Sequence, residues 1–216
     1  MTKKIAFAGT HSGGKTTSLY VVAGYLKSKE FKVEIVEEAA RKAKRRGFQL
    51  DQQSNYDAQI WMFGKQLTKE MEARLDNPDY ILCDRSVYDG IAYTTENVKL
   101  DNAFHLRSLA LSYCERYPYD LIIYFPPMDK IEDDGVRATD VTYQHKIDNH
   151  FFMILDQDDE IRKQVRCWRI TAKTKDERIK QAIKFIEGLN EQPCFCGHVS
   201  LDHDIGICRI CQQYCI

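Results

Sequence analysis

The chain has 216 residues, which is enough for one full α/β domain and a small appendage. Its formal net charge of −1 excludes a strong overall positive field of the kind that draws proteins to nucleic acid or to anionic membranes, although a local basic patch remains possible. The longest apolar run, residues 121–125, is too short to span a bilayer, and no apolar signal segment precedes the first predicted strand. We therefore expect a cytoplasmic protein without a membrane partner.

The first predicted element is a short buried strand over residues 4–8, and an amphipathic helix follows after a glycine-rich turn. That turn, residues 9–16, reads G-T-H-S-G-G-K-T and matches the phosphate-binding pattern G-x-x-x-x-G-K-[ST] in full. Backbone N–H groups in such a turn can surround a polyphosphate at the N-terminus of the helix. Lys15 would reach the β- and γ-phosphates of ATP, and Thr16 would hold Mg²⁺. The predicted nucleotide contacts are Gly9, Thr10, His11, Ser12, Gly13, Gly14, Lys15, Thr16 and Thr17.

The second strand is predicted over residues 31–36, where apolar and charged side chains alternate. It leads to Glu38 and then to a basic stretch, residues 41–46, which ends at Gly47. A carboxylate at this strand end can accept or position the proton of an attacking hydroxyl group. The alternative is that Glu38 and Arg41, three residues apart, form an ordinary ion pair on a helix surface.

The third strand, residues 80–83, follows a long amphipathic helix predicted over residues 51–75. Asp84 and Arg85 stand directly at its end. The carboxylate can hold Mg²⁺ through water or orient an acceptor hydroxyl group, and the guanidinium can bind a phosphate through two parallel hydrogen bonds. The alternative is an ordinary solvated pair of charges.

The second half of the chain continues the alternation of helices and strands. Residues 128–140 are polar and predict a mobile loop in which Arg137 would cover the transferring phosphoryl group; the alternative is a solvated arginine. The other predicted elements are helices over 87–96 and 102–117, a strand over 121–125, a helix around 147–155, a strand over 165–170 and a helix over 175–189.

Together these elements predict an α/β fold of the P-loop NTPase class, with a five-stranded parallel sheet and helices on both faces. Ligands bind at the carboxyl ends of the strands in such sheets, so the residues that follow the strands should share one cleft. A guanine-reading Asn/Thr-Lys-x-Asp motif is missing from the sequence, and so is the separate signature segment of ABC-type ATPases.

The motifs resemble those of the small P-loop nucleoside and nucleotide kinases over about residues 1–190. Within that family the chain is similar to the ribosylnicotinamide-kinase-like AAA group and to the thymidylate kinases. It departs from the latter at Ser86, where they carry an aromatic residue. The matching segments are G-T-H-S-G-G-K-T at 9–16, E-A-A-R at 38–41, C-D-R-S-V-Y-D-G-I-A-Y at 83–93 and D-D-G-V-R-A-T-D at 133–140.

This resemblance implies an ATP- and Mg²⁺-dependent kinase that acts on a small nucleoside or nucleotide. It implies that Glu38 and Arg41 contact the acceptor, together with Arg85. It further implies that Asp84 serves the metal ion, Arg85 the phosphate and Arg137 the lid. The resemblance leaves open whether the protein forms a homodimer. The predicted catalytic residues are Lys15, Glu38, Asp84, Arg85 and Arg137.

Five of the eight cysteines lie within the last 23 residues. In a cytoplasmic chain such clustering favours a metal site over disulfides. We predict a zinc-binding tail, residues 193–216, after a kinase domain of residues 1–190. A reduced, disordered tail is the main alternative, and an iron–sulfur cluster would require His in place of Cys. The predicted ligands are Cys196, His203, Cys208 and Cys211, with Cys194, His198 and Cys215 in reserve.

Three functions are compatible with these features. The first is phosphoryl transfer from ATP to a free nucleoside or nucleotide. The second is transfer to a hydroxymethylated base in DNA, since the basic stretch and the tail could both hold a phosphate backbone. The third is a non-catalytic ATP-binding module that recruits a partner through its zinc tail.

Overall fold

The computed structural model describes residues 2–97, 100–128 and 140–189. Arg137 and all the predicted zinc ligands lie outside this part of the chain. The described strands and helices are β1 (Lys3–Ala8), α1 (Lys15–Ser28), β2 (Val33–Val36), α2 (Ala40–Arg45), α3 (Tyr56–Leu75), β3 (Tyr80–Asp84), α4 (Asp89–Asn97), α5 (Leu100–Arg116), β4 (Leu121–Tyr124), α6 (Val141–Phe152), α7 (Asp159–Gln164), β5 (Cys167–Arg169) and α8 (Lys175–Gly188).

The five strands form one parallel sheet in the order β2-β3-β1-β4-β5, which confirms the predicted fold class. β1 lies at the centre, and its side chains alternate between two apolar layers. Ala6 and Ala8 face the layer that includes α4, α5 and α6, whereas Ile5 and Phe7 face α1 and α8. Because the strands are parallel, the carboxyl ends of β1, β2 and β3 meet at one edge of the sheet.

Several predicted elements differ from the structure in their bounds, among them one helix and two strands. The helix predicted from residue 51 starts at Tyr56, because the side chain of Asn55 caps it by accepting a hydrogen bond from the Ala58 N–H at 2.9 Å. Residues 51–53 form a short 3-10 turn instead. β2 is two residues shorter than predicted, and β5 starts at Cys167 because the N–H of Val165 still bonds to α7.

The three cysteines outside the tail are buried. They are Cys83 on β3, Cys114 on α5 and Cys167 on β5. Burial raises the pKa of the Cys114 thiol to about 11, so this group stays protonated at neutral pH. These residues act as small apolar side chains of the core.

A buried ion pair links the sheet to α3. Lys4 Nζ on β1 lies 2.9 Å from Glu70 Oε2, and both side chains are almost completely buried. The carboxylate of Glu70 also accepts hydrogen bonds from Tyr113, Tyr119 and Gln66, at 2.9, 2.6 and 2.8 Å. The pair is therefore fully hydrogen-bonded, which is the condition under which a buried charge is tolerated.

Glu70→Gln is expected to lower the free energy of unfolding by about 3–5 kcal/mol, because it leaves Lys4 buried without a counter-charge. Chemical denaturation measures this change. The control is Glu72→Gln on the same helix, where the side chain is exposed and a change within about 0.5 kcal/mol is expected. Equal small effects in both variants would contradict the role assigned to the ion pair.

Candidate active site

The predicted phosphate loop lies between β1 and α1. Gly9 and Gly14 adopt φ angles of 129° and 83°, which residues with a side chain rarely adopt. A Cβ atom at Gly9 would also overlap the carbonyl oxygen of Phe125, which follows β4. The loop can therefore pass this close to β4 only with glycine, and it leads directly into the N-terminus of α1.

Two buried side chains from distant helices fix the loop from behind. Gln144 Nε2 on α6 donates a hydrogen bond to the carbonyl oxygen of His11 at 2.8 Å. Arg178 Nη1 on α8 donates to the carbonyl oxygens of Gly13 and Pro126, at 2.9 and 2.8 Å. The sequence analysis did not identify either residue. Each is a polar residue on the otherwise apolar face of its helix, which could have marked it in the sequence. Gln144 shares its face with Ile147 and Phe151, and Arg178 shares its face with Ala182, Phe185 and Ile186.

A cleft opens in front of the loop, and most of the predicted nucleotide contacts line it. His11 to Thr17 are in the lining, whereas Gly9 and Thr10 are buried beneath it. Glu38, Asp84 and Arg85 are in the lining too. The structure thus brings the ends of β1, β2 and β3 together around one cleft, as the parallel sheet predicts.

Thr16 and Asp84 are placed to hold a divalent cation. Thr16 Oγ1 donates a hydrogen bond of 2.6 Å to Asp84 Oδ2. The other oxygen, Asp84 Oδ1, is buried and has no hydrogen-bond partner within the described part of the chain. Mg²⁺ is commonly bound by one or two protein oxygens, with substrate phosphates and waters as further ligands, so this pair fits the ion. Across residues 2–97, 100–128 and 140–189, no three His, Cys, Asp or Glu side chains form a group that could hold a metal ion.

Arg85 connects the three strand ends. Its φ of 91° is left-handed, and its side chain reaches back to the carbonyl oxygen of Gly9. Arg85 Nε donates to Glu38 Oε1 at 2.8 Å, and Nη1 donates to Asp89 Oδ1 at 3.1 Å. Nη2 makes no hydrogen bond to any described residue, so it is available to an anionic ligand.

The backbone of Arg85 is held by a residue that the sequence analysis missed. Gln66 Nε2 on α3 donates to the carbonyl oxygen of Arg85 at 3.0 Å and to Glu70 Oε1 at 2.8 Å. Gln66 is buried, and the ion pair between Lys4 and Glu70 fixes its acceptor. The left-handed turn at Arg85 is therefore connected to the most deeply buried charges of the fold.

A second pocket adjoins the cleft and shares Glu38 and Arg85 with it. Its wall is largely apolar and also contains polar groups, which include Asp89 and Gln59. Arg41 lines the phosphate-loop cleft and is not in the lining of this second pocket. The apolar part of the wall is formed by Leu50, Met62, Phe63, Val87 and Tyr93.

The charges in the cleft shift each other's protonation equilibria. Burial and the positive charge of Arg85 lower the pKa of Lys15 to about 7. Burial and the negative charge of Glu38 raise the pKa of Asp84, although Lys15 and the hydrogen bond from Thr16 oppose this. Without a ligand, Lys15 is therefore only partly charged at neutral pH.

Nucleotide binding is expected to take up protons at pH 8.5. The pKa of free Lys15 is about 7, and phosphate oxygens beside it would raise that pKa towards its ordinary value, so Lys15 gains a proton on binding. The affinity should therefore fall as the pH rises above 7. Calorimetry with magnesium-free ADP, in two buffers of different ionisation enthalpy, measures the uptake.

The control for this titration is Lys15→Arg. Arginine stays protonated at every pH of the experiment, so the variant should bind ADP with little or no proton uptake. Equal heats in the two buffers for the unmodified protein would contradict the lowered pKa of Lys15.

None of the helices described here is long and apolar enough to cross a membrane.

Comparisons with known proteins agree with the fold. Two solved structures of NadR match, one in complex with NR and one in complex with NAD and AMP-PNP. The first is 19% identical with a TM-score of 0.69, and covers 89% of this chain and 52% of that one. The second is 17% identical with a TM-score of 0.66, and covers 92% and 52%. The chain thus spans about half the length of the NadR chains that it matches.

A search of curated proteins gives no significant match. In contrast, the model of one protein family, described as an AAA domain, matches residues 4–184. That range contains the phosphate loop, the residues of the cleft described above and, apart from Lys3, all five strands. The protein therefore belongs to this AAA-domain family.

Proposed function

We propose that the protein is a kinase that transfers the γ-phosphoryl group of ATP to a hydroxyl or phosphate group of a nucleoside or nucleotide. The observation that carries this proposal is the junction of two pockets at Glu38 and Arg85. One pocket contains the phosphate loop, and the other is apolar and of a kind that accommodates a base or a sugar. An enzyme that only hydrolyses ATP does not need this second pocket.

The two carboxylates of the cleft take different roles in this proposal. Asp84 lines only the phosphate-loop cleft and is bonded to Thr16, so it belongs to the metal side. Glu38 lines both pockets, so it is placed where an acceptor would meet the γ-phosphate. Mg²⁺, when bound, would neutralise charge on the β- and γ-phosphate oxygens.

In the transfer step the acceptor oxygen forms a bond to the γ-phosphorus while the bond to the β,γ-bridging oxygen breaks. ADP leaves with that oxygen, and the proton of the acceptor hydroxyl group passes to Glu38. Lys15 and Arg85 stabilise the negative charge that spreads over the phosphoryl oxygens. Arg137 would add to this from the lid; it lies outside the described residues, and its role stays a prediction.

The comparisons support a nucleotide-handling role. The NadR structures are described as complexes with NR and with NAD and AMP-PNP, the last an analogue of ATP. These ligands are properties of NadR, and the low sequence identity carries over the fold alone. They support a search for the substrate of this chain among nucleosides and nucleotides.

ADP release with Mg²⁺-ATP tests the proposal across a panel of nucleosides, nucleotides and oligonucleotides. We expect acceptor-dependent turnover, and mass spectrometry should find one added phosphate group on the acceptor. ATP binding without turnover on any acceptor would overturn the kinase proposal and favour the non-catalytic module.

The zinc-binding tail, residues 193–216, stays a proposal, because its cysteines and histidines lie outside the described residues. Elemental analysis of the purified protein should find one Zn²⁺ per chain, and a chain that ends at Leu189 should lose it while it still binds ATP. A cytoplasmic location and a homodimer are likewise untested predictions.

A further inference from the structure

A groove lined mainly by basic residues lies between α2 and α3, next to the phosphate-loop cleft. Lys42 and Arg45 of α2 line it together with Arg46, the residue that follows α2. From α3 come Trp61, Lys65, Thr68, Lys69 and Glu72. We call this surface the basic groove. It contains five basic side chains and one carboxylate, in a chain whose net charge is −1.

Most of the positive charges of the basic groove have no ion-pair partner among the described residues. Within the described part of the chain, Lys42, Arg45, Arg46 and Lys65 form no ion pair. Lys69 donates a hydrogen bond to a backbone carbonyl oxygen, that of Glu37, at 2.6 Å. Burial and the positive charge of Lys42 lower the pKa of Lys69. Such a concentration of like charges is unfavourable for the free protein and favours an anionic ligand.

An aromatic ring lies among these cations. Trp61 is half-buried, and the centre of its ring is 5.9 Å from Arg46 Cζ and 5.8 Å from Lys65 Nζ. The ring of Phe48 lies beside it at 5.2 Å. Aromatic rings on which bases stack, next to cations that contact phosphates, are the combination by which proteins bind single-stranded nucleic acid.

The basic groove is continuous with both pockets of the active site. Lys42 and Arg45 also line the phosphate-loop cleft, and Ala39 also lines the apolar pocket. Along α3, from Trp61 to Lys69, the groove extends about 12 Å, at 1.5 Å per residue. This is longer than a single phosphate group, so the surface fits several consecutive nucleotide units better than it fits one small anion.

We propose that the basic groove binds a single-stranded nucleic acid, with a base on Trp61 and phosphates on Lys42, Arg46 and Lys65. The bound strand carries the acceptor group into the pocket at Glu38. That the nucleic acid carries the acceptor group rests on the proposed function. Its binding in the groove does not.

Fluorescence anisotropy with a short labelled single-stranded oligonucleotide tests the groove on the full chain. The double variant Arg46→Glu/Lys65→Glu should bind the oligonucleotide at least tenfold more weakly than the unmodified protein. Its plot of log affinity against log salt concentration should be shallower by about 1.4, which corresponds to two lost phosphate contacts on a single strand. The control Lys27→Glu/Lys163→Glu changes the net charge equally on exposed residues elsewhere and should keep the affinity within twofold.

ATP affinity and ADP release with a free nucleoside acceptor are measured on the same variants. These two measurements test the proposed function independently of the groove, because oligonucleotide binding can be lost while transfer to a nucleoside persists. Three results would overturn the groove proposal. They are absence of oligonucleotide binding, equal binding by both double variants, and displacement of the oligonucleotide by a mononucleotide at the same phosphate concentration. The last would indicate a site for a single phosphate group.

Discussion

Replacing Lys15 with methionine is expected to lower phosphoryl transfer by about a thousandfold or more, which is about 4 kcal/mol of transition-state stabilisation. Lys15 is buried at the start of α1, and its ammonium group bonds to the carbonyl oxygen of Thr10 in the loop itself. A γ-phosphate in the cleft would exchange that neutral partner for a charged one. Lys15 is the one lysine of the loop itself, and the other lysine and the arginines that line the cleft belong to other elements.

The same variant should fold as well as the unmodified protein, or better. The lowered pKa of Lys15 means that the folded state binds its proton less tightly than the unfolded state does. Between a pH of about 7 and the ordinary lysine pKa, the unfolded chain therefore holds more protons, and stability rises with pH. Methionine removes this charge, so the midpoint of thermal unfolding at pH 7 should be unchanged or higher.

ADP release and thermal unfolding measured side by side test this pair of expectations. Lys29→Met, on an exposed residue at the end of α1, is the matched control and should change neither property. Transfer at the original rate in Lys15→Met would show that the phosphate-loop assignment is wrong. Loss of the fold would contradict the electrostatic account of the buried lysine.

Asp84→Asn and Glu38→Gln are each expected to lower kcat by about 10²–10⁴-fold, with much smaller effects on ATP affinity. They should differ in their response to Mg²⁺. Asp84→Asn removes the charge beside Thr16, so the variant should need more Mg²⁺ for half-maximal activity. Glu38→Gln leaves the metal side intact, and its Mg²⁺ dependence should match that of the unmodified protein.

Titrations of activity with Mg²⁺ at saturating ATP make this comparison. Glu37→Gln is the control, since Glu37 also lines the cleft but its side chain is exposed and accepts a hydrogen bond from Tyr20 at 3.1 Å. An unchanged kcat in both Asp84→Asn and Glu38→Gln would show that neither carboxylate takes part in the transfer and would refute the proposed layout. A shifted Mg²⁺ dependence in Glu38→Gln would reverse the two roles.

The features that the sequence predicts well are those carried by neighbouring residues. The phosphate loop is one contiguous motif between a strand and a helix, so its place at the cleft follows from residues 4–28 alone. Glu38 and Asp84 are far apart in the chain, but each ends a parallel strand, and this topology brings them to one edge of the sheet.

The contacts that cannot be predicted from the sequence join residues on different elements, whose separation along the chain follows neither the helix nor the strand period. The hydrogen bond from Gln66 to Arg85 and the ion pair of Lys4 with Glu70 depend on how α3 packs on the sheet, and no spacing within α3 encodes it. Arg85 was predicted to bind phosphate; in the structure its Nε and Nη1 atoms bond to Glu38, Asp89 and Gly9, which leaves Nη2 without a hydrogen bond to any described residue. Its contact with a phosphate stays a prediction.

The hydrogen bonds from Arg178 to the phosphate loop have a consequence for the order in which the protein matures during synthesis. The guanidinium that fixes the carbonyl oxygen of Gly13 belongs to α8, more than 160 residues after the loop in the chain. A nascent chain on the ribosome therefore cannot complete the loop until α8 has emerged and docked. A nucleotide that binds the loop, as proposed, would assist folding only after that point, because a ligand stabilises only a state in which its site exists.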